Sequence, residues 1–320
     1  MRALIAAAAL ALCGSAQAQT KWDMPTPYSD GEFHTRNVVL FVEDVKKATG
    51  GALEIVVHTN GSLIKHPDIL RAVSTGQVNI AEFLLGQFGN EDPVFAVDNL
   101  PFLAAGYDSA WKLYEAQKPI LEKRLQGRGL KLLYSVAWPG QGIYTKEPLK
   151  SVADLKGTKF RTYSPQTARL AELLGASPTV VQVPDVPQMF ATGGITAMIT
   201  SSATGTQTKA WEFVKNYYTT NAMHPKNVVA VNARSFERLP DAQKKAVVDA
   251  GSKAETRGWA MSKVREMEAN ELLAKNGMTV RPPDAGMKAA FAKVGEQMTA
   301  EWQKTAGADG QAILKAFRGK

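Results

Sequence analysis

The apolar residues of the N-terminal third switch between helical and strand spacing. Helical spacing over Glu32–Thr49 ends at a pair of glycines, and two-residue alternation follows over Leu53–His58. A short helix over Pro67–Ser74 and a strand over Val78–Leu85 continue the order. With an N-terminal strand from Lys21, this β-α-β-α-β run is typical of a parallel sheet flanked by helices.

A second run of the same kind occupies the middle of the chain. It follows a predicted helix, a predicted strand and a loop in which two glycines next to Trp138 favour a sharp turn. The predicted elements are helix Asp108–Gln126, strand Lys131–Val136, strand Lys159–Tyr163, helix Pro165–Leu174, strand Pro178–Val183, helix Val186–Thr192, strand Ile195–Thr200, helix Thr206–Val214 and strand Val228–Asn232. Two such runs predict two α/β lobes, and a ligand cleft between them at the carboxyl ends of the strands.

The last part of the chain has a helical pattern. From Leu239 it continues to Asn276, which corresponds to a helix of roughly 50 Å. A helix of that length exceeds one small lobe, so we expect it to lie across both. Two further helices, over Ala285–Thr305 and Gln311–Phe317, are predicted to close the chain.

The N-terminus has the features of a secretory signal peptide. Arg2 precedes an apolar stretch, and an Ala-x-Ala site ends at Ala18. We expect cleavage after Ala18 and export of a soluble protein. The alternative, a lipoprotein anchored through Cys13, fits less well because Leu12 is bulky where such sites carry a small residue. Cys13 is the single cysteine, so the mature chain would have no disulfide and no thiol nucleophile.

Charge and motifs restrict the classes of function. The 320-residue chain has a net charge of +8 without a basic run or a basic-aromatic repeat, so we expect no nucleic-acid partner. The histidines are not spaced as metal ligands, and no phosphate-binding loop or nucleophile elbow is present. We therefore expect a binding protein with no cofactor, no metal and no catalytic residues.

Arg161 is a candidate for anion binding. It lies on the predicted strand Lys159–Tyr163, where alternation places it on the same face as the Tyr163 hydroxyl. A guanidinium held on a strand end presents two parallel donors to a carboxylate. The alternative is an arginine that is solvated or paired with another side chain.

Several segments resemble one family, the substrate-binding proteins of tripartite ATP-independent periplasmic (TRAP) transporters. The resemblance extends from Trp22 to about Phe317. It rests on the order and spacing of Asn60-Gly-Ser-Leu63, Asp98-Asn-Leu-Pro-Phe102, Asp154-Leu-Lys-Gly-Thr-Lys-Phe-Arg161, Leu174-Gly-Ala-Ser-Pro178 and the Thr192–Thr200 strand with the Trp211 helix.

The resemblance implies a periplasmic-binding-protein fold of the α/β class. Two Rossmann-like lobes would be joined by hinge strands and a long spanning helix. After a signal peptide over 1–18, lobe I would comprise 19–143 plus about 234–262. Lobe II would comprise 144–233 plus about 263–320.

The same resemblance implies roles for individual residues. Arg161 ends the motif whose arginine pairs with the ligand carboxylate. Gln141 occupies the position of a second arginine found in sialic-acid-type members, and Thr200 that of an asparagine that assists the carboxylate, with Met198 before it. One cation with neutral and apolar neighbours predicts a hydrophobic or aromatic monocarboxylate, with or without a 2-oxo or 2-hydroxy group. A second carboxylate or a polyhydroxylated chain would be buried with too few partners.

Further candidates for the binding site are aromatic or polar residues of the predicted cleft. They are Tyr28, His66, Phe83, Phe88, Trp138, Tyr163 and Phe190. For each aromatic residue, packing in the core is the alternative.

The predicted function is therefore a monomeric periplasmic receptor. It would capture a small carboxylate through Arg161 and deliver it to the membrane-embedded permease subunits of a TRAP transporter. Alternatives are a C4-dicarboxylate or sugar acid bound in the same way, an exported enzyme with His66 or Tyr28 as base, and a periplasmic sensor or scavenger.

Overall fold

A computed structural model of the protein describes residues 19–319. The predicted signal peptide, its cleavage after Ala18 and the alternative anchor Cys13 lie outside these residues. Within 19–319, no helix is both long enough and apolar enough to cross a membrane.

Strands and helices alternate along most of the described chain. The strands are β1 (Thr20–Pro25), β2 (Leu53–His58), β3 (Ile80–Leu84), β4 (Leu130–Ala137), β5 (Gln141–Thr145), β6 (Lys159–Thr162), β7 (Ser177–Val180), β8 (Ala197–Ser201), β9 (Asn216–Tyr218), β10 (Lys226–Asn232) and β11 (Thr279–Arg281). The α-helices are α1 (Phe33–Ala48), α2 (His66–Thr75), α3 (Tyr107–Gly127), α4 (Pro165–Leu173), α5 (Val186–Ala191), α6 (Ser202–Gln207), α7 (Ala233–Glu237), α8 (Asp241–Lys275) and α9 (Ala285–Arg318).

The N-terminal strands are only partly parallel. β1 pairs with β2 in parallel and forms a two-stranded sheet. β3 and β4 flank β10, pair with it antiparallel and form a separate three-stranded sheet, the first of the two larger sheets. The prediction of an all-parallel first sheet was therefore wrong for β3. Periodicity along the chain predicts a strand but does not predict which strand pairs with it. Here the partner of β3 is β10, which is far from it in sequence.

The second sheet has six strands in the order β11-β9-β5-β8-β6-β7. β6 pairs in parallel with both β7 and β8, as the second β-α-β-α-β run predicts. β5 is antiparallel to β8 and β9, although its first two residues, Gln141 and Gly142, were predicted as part of a loop. Gly142 lies inside β5, where the Tyr217 ring leaves no room for a side chain. This glycine serves close packing and not a turn.

The sheet pairing corrects one predicted lobe boundary. β10 was assigned to lobe II with the rest of 144–233, but it pairs with β3 and β4 of the first sheet. The chain enters the second sheet at β5 and returns to the first at β10. The remaining boundaries stay predictions.

The predicted helix Thr206–Val214 was also wrong. A helix begins earlier, because the Ser201 hydroxyl caps α6 by accepting from the N–H of Thr204 at 3.1 Å. It ends at Gln207, and Lys209 has a φ of 52°, which α-helices do not contain. A short 3₁₀ turn over Ala210–Glu212 follows.

The long helix α8 spans both sheets, as predicted. It packs against α1 and β4 along its first half and against α6 and β11 along its second half. Its length of 35 residues corresponds to roughly 52 Å. The two predicted final helices form α9, which is interrupted at Gly307 with its φ of 57°. The α/β fold class with a long spanning helix is confirmed.

Candidate functional site

One cavity lies where several strands of both sheets end. Its unfilled space, including the open mouth, amounts to about 410 Å³. The residues that line it are Tyr28, His66, Leu84, Gln87, Trp138, Gln141, Arg161, Tyr163, Gln182, Val183, Thr200, Ser201, Thr204 and Pro225. Many of them lie at or shortly beyond the ends of β1, β3, β4, β6, β7 and β8. The carboxyl ends of strands are where ligands of open α/β sheets bind.

Most of the predicted binding residues meet in this cavity. Tyr28, His66, Trp138, Gln141, Arg161, Tyr163 and Thr200 all line it, although they are far apart in sequence. Their roles toward a ligand stay predictions.

Phe83 and Phe88 do not line the cavity, contrary to prediction. Phe83 points to the opposite face of β3 from Leu84, because successive side chains alternate, and it packs edge-on against Phe88. Phe88 lies behind His66, with the ring centres 6.3 Å apart. Both belong to the core beneath α2.

Met198 and Phe190 were also misplaced. Met198 is on the same face of β8 as Thr200 but one step deeper, where it packs with Tyr144 and Ile195. Phe190 stacks on Phe213 with the ring centres 4.3 Å apart, away from the cavity. Position along strand β8 does not tell how deep Met198 lies, and the position of Phe190 on helix α5 does not tell whether its ring faces the cavity.

Arg161 is the buried cation of the cavity. Its side chain is 1% exposed, and its guanidinium donates to the carbonyl oxygens of Val181 at 3.0 Å and Ile199 at 3.3 Å. The described residues place no carboxylate within ion-pair distance of it. Burial lowers the pKa of Arg161 to about 10, and the nearby hydroxyls of Tyr163 and Tyr28 act in the opposite direction. The guanidinium therefore remains charged at neutral pH and is available to an anion.

Neutral polar groups surround this cation. The Tyr163 ring lies 5.3 Å from the guanidinium carbon, and its buried hydroxyl has no hydrogen-bond partner. Gln141 Nε2 donates to the carbonyl of Pro139 at 2.9 Å, which fixes the orientation of its amide. Thr200 is buried at the end of β8. No second cation stands at Gln141, so the cavity offers one strong anion site.

The opposite wall is aromatic and is fixed by Asn227. Tyr28 and Trp138 pack edge-on with their ring centres 5.0 Å apart. The Trp138 indole N–H and the Tyr28 hydroxyl both contact Asn227 Oδ1, at 2.8 and 3.1 Å. Asn227 Nδ2 in turn donates to buried Glu82 at 3.1 Å. This network holds the wall rigid.

His66 bridges the two sides of the cavity as a neutral imidazole. Its Nε2 accepts from the Leu84 N–H at 3.3 Å, so Nδ1 carries the proton and donates to Gln182 Oε1 at 3.2 Å. Burial lowers the pKa of His66 to about 4, against the opposing influence of Gln182 and of the Glu82 charge. Both ring nitrogens are engaged. This geometry disfavours His66 as a catalytic base.

Tyr28 is equally unsuited to that role. Burial, reinforced by the charge of Glu82, raises its pKa well above the ordinary value, so the hydroxyl keeps its proton. A phenol that stays protonated cannot accept a proton from a substrate. Within residues 19–319, no group of three or more histidine, cysteine or acidic side chains is arranged to hold a metal ion.

Sequence reasoning missed several lining residues. Gln182 and Val183 lie just beyond the end of β7, and Leu84 and Gln87 lie at and beyond the end of β3. The rule that ligands bind beyond strand ends would have found the first pair. Gln87 lies in a short 3₁₀ turn that no sequence motif marks.

Comparison with known proteins agrees with this geometry. The profile of the family described as bacterial extracellular solute-binding protein, family 7, matches residues 26–305. The chain belongs to this family. Its members include the substrate-binding proteins of TRAP transporters, so the resemblance noted in the sequence is confirmed. The family consists of extracytoplasmic solute receptors.

Solved structures give closer comparisons. DctP6 from Bordetella pertussis, an extracytoplasmic solute receptor binding pyroglutamic acid, is 49% identical with a TM-score of 0.93, covering 94% of this chain and 100% of that one. DctP7 from the same organism, also binding pyroglutamic acid, is 46% identical with a TM-score of 0.92, covering 93% and 99%. A TRAP solute-binding protein from a marine metagenome, in complex with co-purified pyroglutamate, is 39% identical with a TM-score of 0.92, covering 94% and 99%. This protein is thus a TRAP-type solute receptor.

Proposed function

We propose that this receptor binds pyroglutamate, or a small cyclic acid of closely similar shape, with its carboxylate on Arg161. The observation that carries the proposal is the buried Arg161 guanidinium, which lines the cavity and lacks a carboxylate partner among residues 19–319. A buried charge is costly unless it is paired, so a ligand anion would complete the site.

The choice of pyroglutamate rests on similarity and on the number of polar groups. Three receptors that are 49%, 46% and 39% identical to this chain bind that acid. Pyroglutamate carries one carboxylate and one lactam on a compact ring. The cavity offers one cation, and the Tyr163 hydroxyl and the Gln87 amide oxygen are buried there without hydrogen-bond partners. The sequence-based expectation of one carboxylate is kept, whereas the apolar or aromatic body is replaced by a small polar ring.

The alternatives have less support. A C4-dicarboxylate or a sugar acid would bring a second charge or several hydroxyls to a site with one cation, where they would lack partners. An exported enzyme would need a base, and the two candidates, His66 and Tyr28, are a fully engaged neutral imidazole and a protonated phenol.

The biological role follows from the family. We propose that the protein acts in the periplasm as a monomer and passes its ligand to the membrane permease of a TRAP transporter. A sensor or scavenger that binds the same acid without a permease would differ only in its partner. Capture of a permease subunit by the liganded protein distinguishes the two.

Two measurements test the ligand. Native mass spectrometry of the purified protein should detect a co-purified species with the mass of pyroglutamate. After the ligand is removed by unfolding and refolding, calorimetry should show saturable binding of pyroglutamate and much weaker binding of succinate and glucuronate. If a dicarboxylate or a sugar acid binds more tightly than pyroglutamate, the proposal is wrong.

A further inference from the structure

The orientation of the Asn227 side chain follows from its neighbours. The Trp138 indole N–H lies 2.8 Å from one end of the amide and can only donate, so that end is the oxygen Oδ1. The other end, Nδ2, lies 3.1 Å from Glu82 Oε1 and donates to it. Glu82 is also held by the Thr26 hydroxyl at 2.6 Å. The amide is fixed from both sides.

This orientation decides what Tyr28 can do. The Tyr28 hydroxyl lies 3.1 Å from Asn227 Oδ1, which has no hydrogen to give. Tyr28 must therefore donate its single hydroxyl proton to Asn227. What remains on the Tyr28 oxygen is lone-pair density, so toward a ligand in the cavity it acts as an acceptor.

Gln87 adds a second acceptor to the same cavity. Its amide oxygen is buried and makes no hydrogen bond within residues 19–319. A buried polar atom without a partner costs free energy, and a ligand N–H would remove that cost. Arg161 and the unpartnered Tyr163 hydroxyl can donate hydrogen bonds to a ligand. Tyr28 and Gln87, in contrast, require a hydrogen-bond donor on the ligand.

We propose that Tyr28, held by Asn227, and Gln87 make the receptor select an acid that carries a donor hydrogen on its ring, which in pyroglutamate is the lactam N–H. This proposal rests on the proposed function and refines it. Tyr28 and Gln87 are specificity-determining residues, and Asn227 is a positioning residue that acts through Tyr28. The Tyr163 hydroxyl is left to donate to the ligand.

The first test compares two ligands on the unmodified protein. One is pyroglutamate, and the other is the cyclopentanone carboxylate in which a methylene replaces the ring N–H and the shape is otherwise kept. Calorimetry should give about 10- to 100-fold weaker binding of the ketone, since its methylene faces acceptors and leaves them unpaired. Equal binding of the two acids would overturn the selection proposal alone. Failure of both acids to bind would overturn the proposed function and the selection with it.

The second test assigns the selection to Tyr28. Tyr28→Phe removes the acceptor, so pyroglutamate should bind about tenfold more weakly while the ketone is unchanged within about twofold. Tyr134→Phe is the matched control, because the Tyr134 hydroxyl is also buried but lies outside the cavity and has no hydrogen bond. An equal loss for both acids in Tyr28→Phe would mean that Tyr28 only shapes the wall, and the proposal would fall.

The third test concerns the positioning residue. Asn227→Ala frees the Tyr28 hydroxyl to turn its proton toward the cavity, so the preference for pyroglutamate over the ketone should decrease several-fold. If the role of Asn227 were purely structural, the variant would bind both acids more weakly and the ratio of the two affinities would be unchanged. That result would contradict the proposal. If this variant does not fold, the ligand pair and Tyr28→Phe still decide the matter.

Discussion

Arg161 and Lys226 are both buried cations near the ends of neighbouring sheets, yet only Lys226 has a carboxylate against it. Lys226 is 0% exposed, and its Nζ lies 3.1 Å from Asp98 Oδ2. Arg161 is 1% exposed and contacts only carbonyl oxygens and the face of Tyr163. Burial is the same for both cations, so burial alone does not identify a binding site. The missing counter-charge of Arg161 is the difference that supports the proposed ligand-binding role.

The two cations also differ in how they respond to desolvation. Burial lowers the pKa of Lys226, and Asp98 opposes the shift, so the pair is complete within the protein. A guanidinium keeps its proton even with a pKa of about 10, so Arg161 cannot relieve its burial by becoming neutral. We infer that Lys226 contributes to folding and Arg161 to binding.

Breaking the Lys226 pair should have the largest effect on stability. Lys226→Met leaves the buried Asp98 carboxylate without a cation, with hydrogen bonds from the backbone N–H of residue 226 and the Asn99 amide, so the unfolding free energy in urea should fall by about 3–5 kcal/mol. Adding Asp98→Asn should recover part of the loss, because the orphaned charge is removed. Lys253→Met, at an exposed position of α8, is the control and should change stability by less than about 0.5 kcal/mol. Equal effects at both lysines would refute the structural role of the pair.

His66 and Glu32 are two other buried titratable groups. Unlike Arg161, each can avoid an unpaired buried charge by taking its neutral form. The pKa of His66 falls from 6.5 to about 4 on burial, so its contribution to stability is present above pH 6.5 and is lost as pH falls toward 4. The difference in unfolding free energy between the wild type and His66→Gln should therefore grow from pH 4 to pH 6.5, by about 1–3 kcal/mol.

The contribution of Glu32 to stability should change with pH in the opposite direction. Burial raises its pKa from 4.5 to about 7, despite a hydrogen bond from the Phe33 N–H, so its contribution is present below pH 4.5 and is lost as pH rises through 7. The difference in unfolding free energy between the wild type and Glu32→Gln should decrease as the pH rises from 4.5 to 7. Urea titrations at several pH values measure both differences. Two curves of the same sign would contradict the assignment of these groups as buried and neutralised.

These groups also indicate what could be predicted from sequence. Arg161 was found because strand alternation and one motif agreed on it. Phe83 and Met198 were misplaced because the same alternation does not tell which face of a strand meets the ligand, or how deep a residue lies. Lys226 and Asp98 were not recognised as a pair, because they are far apart in sequence and meet only through the return of β10 to the first sheet.

The fold was predicted better than the pairing of its strands. Helix α8 and the second β-α-β-α-β run followed from apolar spacing, which is a local property. The antiparallel pairing of β10 and the strand β5 did not. Gly140 and Gly142 around the start of β5 resemble a turn, and the sequence of a strand does not specify which strand pairs with it. For the same reason Gln87, which no sequence motif marks, could be assigned to the site only from the structure.

Replacing Arg161 by lysine should have an intermediate effect on binding. Arg161→Lys keeps the positive charge but removes the two-donor fork, so pyroglutamate should bind about tenfold more weakly. Calorimetry at two salt concentrations checks that the remaining affinity is electrostatic. Unchanged affinity would mean that the fork does not hold the carboxylate.

The smallest effect is expected at a residue that the structure removes from the site. Phe83→Leu should leave the affinity for pyroglutamate unchanged within about twofold, because Phe83 faces the core beneath α2. The unfolding free energy should fall by about 1–2 kcal/mol, because the smaller leucine leaves a small cavity in the core. A large loss of affinity without a loss of stability would contradict this placement and would mean that Phe83 lines the cavity.

The central claim is that Arg161 is buried without a counter-charge because a ligand supplies it. The most direct measurement is the unfolding free energy of the wild type and of Arg161→Met, each with and without pyroglutamate. Without ligand the variant should be as stable as the wild type or more stable, since an unpaired buried charge is gone. At a ligand concentration of about one hundred times the wild-type Kd, the wild type should gain about 2.7 kcal/mol and the variant nothing. An equal gain in both proteins, or a large loss of stability in the unliganded variant, would contradict the account.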